Sequence, residues 1–200
     1  LIAVDTKKTL FNGMYISATN PILSFRTANY NGKEQAVTTD KIDLGTLSSD
    51  WKKTDFTIGE VKGDITNVTE DGVTVTLVPT KPGYTGVLTR KYEIKPLKLD
   101  GTTNTIADYI KAEVVNPQVA YTGNAIAPKK TDVKLIDKKT GADLSGYIAS
   151  VGTIAKVDAI AGKSQALEIT LNKDTDGAVK NYEITAPSAK ITTANTLTVT

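Results

Sequence analysis

Apolar and polar residues alternate one for one along much of this chain. Val73-Thr74-Val75-Thr76-Leu77-Val78 sets Val73, Val75 and Leu77 on one side of an extended segment and threonines on the other, the period-two pattern of a half-buried strand. Glu70-Asp71-Gly72 before it is turn chemistry and predicts a hairpin with the run at 65–69. Lys81-Pro82-Gly83-Tyr84 is a second turn, since Pro presets one position and Gly relieves the next. It leads into an alternating strand over 87–94, and further strands are predicted at 131–137, 166–171, 179–186 and 196–200. The segment 105–114 differs. Ile106, Tyr109, Ile110 and Val114 fall at helical spacing with Asn104 or Thr105 as a cap, so irregular or short helical structure is expected there. Its counterpart, 9–17, reads as strand–turn–strand.

The elements come in two similar series. Asn20-Pro21 recurs as Asn116-Pro117 and Tyr30-Asn31-Gly32 as Tyr121-Thr122-Gly123. Ile58 and Val61 have matches in Ile154 and Val157, Val75-Thr76-Leu77 in Ile169-Thr170-Leu171, and Tyr92-Glu93-Ile94 in Tyr182-Glu183-Ile184. Five matches in one order point to two copies of a unit of roughly 95 residues. The turn-forming Leu99-Asp100-Gly101-Thr102-Thr103 places the boundary near residue 100, giving units 1–100 and 101–200. Short strands with frequent turns predict an all-β fold, one β-sandwich of about seven strands per unit. Both ends read as cut from a longer array.

Composition sharpens this picture. The chain holds 31 threonines, no cysteine and no histidine. β-branched side chains suit a pleated surface. Without Cys there are no disulfides or thiolate chemistry, and without His the commonest acid–base group at neutral pH is missing. With 24 basic and 22 acidic residues, net +2, nothing calls for nucleic acid or an anionic membrane as a partner. No apolar run reaches bilayer length, so membrane insertion is not expected.

Tyr121-Thr122-Gly123-Asn124-Ala125-Ile126-Ala127-Pro128 resembles the Y-T-G-x-x-I-x-P opening of bacterial immunoglobulin-like repeats. Gly83-Tyr84-Thr85-Gly86 followed by Tyr92-Glu93-Ile94 is similar to their closing element. The second unit has Asp174-Thr175-Asp176-Gly177 in place of that Gly-Tyr-Thr-Gly, and the first lacks the later Pro. The resemblance implies two tandem immunoglobulin-like β-sandwich domains from a secreted or wall-attached protein of Gram-positive bacteria, such as a surface-layer (S-layer) protein or an adhesin. Tyr30 and Tyr121 are expected to pack at strand starts beside Gly32 and Gly123.

Candidate chemistry is sparse. Asn172, Asp174, Asp176, Ala178 (through its carbonyl) and Glu183 sit at positions 1, 3, 5, 7 and 12 of a calcium-loop spacing, with Gly177 at the sharp turn. Against it stand Lys173 and Lys180 beside the ion, and Glu93, which repeats the Glu183 position without any acidic loop. The bland reading is a polar hairpin with Glu183 facing water. Trp51, the lone Trp, is the candidate ligand-binding residue for a sugar or host protein, against packing at a core edge. Ser48-Ser49 near Lys52-Lys53, and Asp50, Asp55 and Asp71 as carboxylates, are explained by turns. The expected function is a non-catalytic, extracellular structural segment that contacts copies of itself or neighbouring surface-protein domains. It requires no cofactor, with Ca2+ as the candidate ion. The alternative is an adhesin or carbohydrate-binding module that contacts a host protein or glycan.

Overall fold

The structure, a computed structural model, describes residues 8–11, 14–17, 23–45, 51–82, 84, 86–173 and 180–200. Among these, strands dominate and helix is confined to single turns. The fold is all-β. The chain divides into two compact units, Leu1–Leu97 with Val179–Asn181, and Lys98–Ala178 with Tyr182–Thr200.

In the first unit the strands are β1 (Lys8–Phe11), β2 (Met14–Ser17), β3 (Ser24–Phe25), β4 (Ala28–Asn29), β5 (Ile42–Asp43), β6 (Phe56–Lys62), β7 (Val73–Pro79), β8 (Leu88–Tyr92) and β9 (Ile94–Lys95). β1 and β2 form the hairpin expected over 9–17. β3 pairs antiparallel with β5, β4 runs parallel to β9, and β6, β7 and β8 form an antiparallel meander. β7 carries the alternation read from sequence: Val73, Val75 and Leu77 are buried, with Thr74, Thr76 and Val78 between them on the other face. Each such aliphatic side chain contributes about 1.5–3 kcal/mol of burial.

The strand β10 (Leu97–Leu99) pairs with β17 (Tyr182–Ile184). The second unit continues with a one-turn helix α1 (Ile106–Tyr109), then β11 (Ile110–Val114), β12 (Gln118–Val119), β13 (Val133–Asp137), β14 (Ile148–Val151), β15 (Ser164–Gln165), β16 (Glu168–Leu171), β18 (Lys190–Thr192) and β19 (Leu197–Val199). β11 pairs antiparallel with β13, β12 runs parallel to β19, and β14, β16 and β18 form an antiparallel sheet. This is the order of the first unit, strand for strand, with β15 and β17 inserted.

Backbone hydrogen bonds fix the correspondence of 30–42 with 121–133 at 91 residues, while their acceptors lie at other offsets. The Tyr30 N–H donates to the Lys95 carbonyl and the Tyr121 N–H to that of Thr200, at 2.8 and 2.7 Å. Gln35 donates to Ile65, and Ile126 to Ile154. A single 3-10 turn ending at Lys41 precedes buried Ile42, and one ending at Asp132 precedes buried Val133. Gly32 and Gly123 follow their tyrosines at φ of 75° and 73°, a conformation that side chains with a Cβ adopt at a cost.

Three expectations need correction, and the short helical structure expected in 105–114 holds in part. The partner of β7 is β6, not 65–69, because the Asp64 carboxylate accepts from the Thr66 and Asn67 backbone N–H groups and the Asn67 amide, folding that stretch into a turn. Only the first half of 105–114 is helical, and Thr105 stands at the N-cap without a side-chain bond. From Ile110 onward pairing with β13 wins, with Ile110, Ala112 and Val114 buried alternately. Ile154 and Val157 do not match Ile58 and Val61, for Ile154 makes a single bridge to Ile126 and Val157 lies in a turn. Tyr182-Glu183-Ile184 is not the counterpart of Tyr92-Glu93-Ile94. By the parallel ladders that counterpart is Leu197-Thr198-Val199, and β17 is an addition. The Asn20-Pro21 match lies outside the described residues.

Candidate functional site

The motif Tyr121 to Pro128 borders a cavity of about 220 Å³ in the second unit. Gln118 and Val119 of β12, Leu197 of β19, and Ile126, Ala127 and Pro128 supply most of its lining. Lys129 and Asp132 are its charged members. The ladder between β12 and β19 holds one side of it. The bridge from Ile126 to Ile154 fixes the opposite segment. The following turn is tied by Asp132, whose Oδ2 accepts the Lys129 N–H at 2.7 Å. The lining is mainly apolar with an acid and a base beside it, which suits a small hydrophobic or aromatic group carrying a polar tip.

At the corresponding place in the first unit the side chains differ. Tyr92, fully buried, stands where the second unit has Leu197, and Lys41 where it has Asp132. Lys41 Nζ donates to the Tyr92 hydroxyl at 2.8 Å and lies 4.8 Å from its ring centre. Phe25 meets that ring edge-on at 6.2 Å. The tyrosines of the shared motif also part ways: Tyr30 is 2% exposed, whereas Tyr121 is 54% exposed and does not pack as the sequence suggested.

Trp51 is 2% exposed. Its ring stacks on Phe56 at 5.0 Å, meets Tyr84 edge-on at 4.7 Å, and has Lys81 Nζ 5.0 Å from its centre. A sugar ring has no open indole face to stack on, so Trp51 serves the packing of the first unit instead of ligand contact. Of the calcium-loop residues, Asp174, Asp176 and Ala178 lie outside the described residues. Asn172 is half-buried, with its N–H on the Tyr147 carbonyl, and Glu183 is exposed at 3.7 Å from Lys98 Nζ. Among the described residues no cluster of three acidic residues is placed to hold a metal ion. Ser48, Ser49 and Asp50 also lie outside the described residues. The Asp55 carboxylate accepts the Lys52 N–H, closing a turn.

Sequence reading missed a buried polar network in the second unit. Asp137 is 2% exposed and ends the buried face of β13, after Val133 and Leu135. Its carboxylate accepts from the Tyr182 hydroxyl at 2.9 Å and from the Lys139 and Thr140 backbone N–H groups. The Tyr147 hydroxyl donates to the Tyr182 carbonyl at 2.8 Å, and burial pushes the Tyr147 phenol up to about 12. The signal was present: an acid on the apolar parity of an alternating strand. In the first unit Arg90 is the analogous surprise, buried between Leu88 and Tyr92 on β8 with its Nε donating to the Leu23 carbonyl at 2.7 Å. Desolvation lowers the pKa of that guanidinium.

A comparison with protein-family models finds no match to this chain, and a search of curated proteins finds none either.

Proposed function

We propose that this chain is a non-catalytic structural segment of a bacterial cell-surface protein of S-layer type, built from two tandem immunoglobulin-like β-sandwich modules. One observation carries the reading: seven strands with the same pairing order occur twice, 91 residues apart at the shared turns. In each copy the first strand pairs with the third, while the short second strand crosses to run parallel to the last. That switching joins the edges of a two-sheet sandwich. The Y-T-G-x-x-I-x-P motif of the second copy and the Tyr30-Asn31-Gly32 that matches its opening in the first both follow the parallel ladder.

On this reading the modules are rigid spacers whose surfaces meet copies of the same protein or its neighbouring domains outside the cell. No cofactor is required. The buried aromatic and polar networks serve stability, which for each unit is on the order of 5–10 kcal/mol. The test is fractionation of the source cells with an antibody raised against this chain. The antigen is expected in the wall fraction, released by chaotropic salt and re-forming ordered arrays when the salt is dialysed away. Recovery from the cytosolic fraction, or as a species that never assembles, overturns the proposal.

A further inference from the structure

We infer that the cavity bordered by Ile126 and Leu197 receives the Tyr121 ring of a second copy of the chain, two such contacts forming reciprocally about a two-fold axis. The inference rests on the self-assembly reading above and names the surface that performs it.

In the first unit the chain fills this place from within, using Tyr92 with its hydroxyl on Lys41 and its ring against Phe25. In the second unit the ladder and turn positions of those three residues hold Leu197, Asp132 and Val114. Where the first unit has the Tyr92 ring the second has the smaller Leu197, and Leu197 and Asp132 both line the cavity. A cavity of about 150 Å³ admits a benzene ring, and drug-sized ligands take roughly 300 Å³ or more. At about 220 Å³ the space suits one aromatic side chain. Asp132 is an acceptor of the kind a phenol hydroxyl needs.

The ring comes from the same segment. Tyr121 lies two residues beyond Val119, a lining residue, and is 54% exposed although Tyr30 at the same ladder position is buried. Ring and most of the hole thus share one stretch, 116–132, with Leu197 beside it, which is what a self-complementary contact requires. The charged lining residues are one base, Lys129, and one acid, Asp132, so a two-fold pairing that sets Lys129 of one copy against Asp132 of the other is electrostatically complementary. A formal net charge of only +2 sets little repulsion between copies.

Sedimentation of the whole 200-residue chain from about 10 μM to about 1 mM tests the proposal in the range of weak contacts. The expected result is concentration-dependent dimerisation that Tyr121→Ala weakens by at least about tenfold, as for an aromatic anchor. Leu197→Tyr combined with Asp132→Lys rebuilds the first unit's internal filling and is expected to abolish association. Should that pair fail to fold, Tyr121→Ala, at an exposed site, carries the test alone. A monomer at every concentration, or unchanged association of Tyr121→Ala, overturns the contact. So does loss of association in Val157→Ser with Ile160→Ser, which would place the interface on the exposed turn at 155–162. Each of these three failures leaves the cell-surface reading to its own fractionation experiment.

Discussion

Asp137 and Tyr182 give the most direct measure of what the polar network contributes. The Tyr182 hydroxyl donates to Asp137 Oδ2 at 2.9 Å, and both residues are at most 3% exposed. Asp137→Ala leaves that hydroxyl buried without its acceptor, a cost of about 1–3 kcal/mol. It also strips the Lys139 and Thr140 N–H groups, but these belong to exposed residues and regain water. The total expected is about 3 kcal/mol. Tyr182→Phe keeps the ring and the two backbone donors and removes one charge-assisted bond, about 2 kcal/mol. The double variant should cost little more than Asp137→Ala alone, leaving a coupling of about 2 kcal/mol. Urea unfolding followed by far-UV circular dichroism measures all four corners, with Trp51 fluorescence as a separate reporter of the first unit. Additivity within about 0.5 kcal/mol would refute the reasoning, because the two groups would then stabilise the fold independently of their bond.

Trp51→Ala is expected to destabilise the first unit by about 3–5 kcal/mol through loss of its contacts with Phe56 and Tyr84, read as a lower urea midpoint; in the wild type, acrylamide should quench Trp51 poorly. Tyr147 has a folded pKa of about 12 against 10.0 unperturbed, so its stabilising contribution is complete below pH 10 and lost as pH rises towards 12. Absorbance at alkaline pH should show a late-titrating tyrosine component that is lost in Tyr147→Phe. At the acid end, the Asp64 carboxylate is held below its usual value of 3.8, chiefly by the Asn67 amide and then by the Asn67 and Thr66 N–H groups. Stability from this group is present above pH 3.8 and is lost as pH falls through the depressed value, and Asp64→Ala should flatten that part of a pH–stability profile. Gly123→Ala should cost on the order of 1 kcal/mol from its φ of 73° alone, since an added Cβ meets nothing within 4 Å; thermal unfolding reads the loss.

Alternation made most strands legible, because side-chain parity is a local property of an extended backbone. Val73, Val75 and Leu77, or Val133 and Leu135, declare their buried face without knowledge of any partner. The tyrosine–x–glycine pair likewise marked a real correspondence between units. Partner choice was not legible. Whether β7 takes β6 or the run at 65–69 depends on loop closure and on Asp64 gathering its own neighbours into a turn. Whether Tyr92 matches Tyr182 or Leu197 depends on a parallel ladder between residues more than sixty positions apart. The cavity belongs to the same class, since nothing in Leu197 or Asp132 read alone announces that the residues at their counterparts are a tyrosine and a lysine in contact. Sequence alone thus determined the strand class, the correspondence of Tyr30 and Gly32 with Tyr121 and Gly123, and the absence of histidine and cysteine side chains. Tertiary structure decided which strands meet, buried Trp51 and Asp137, and left the hole beside Tyr121, because those outcomes depend on how distant segments share space.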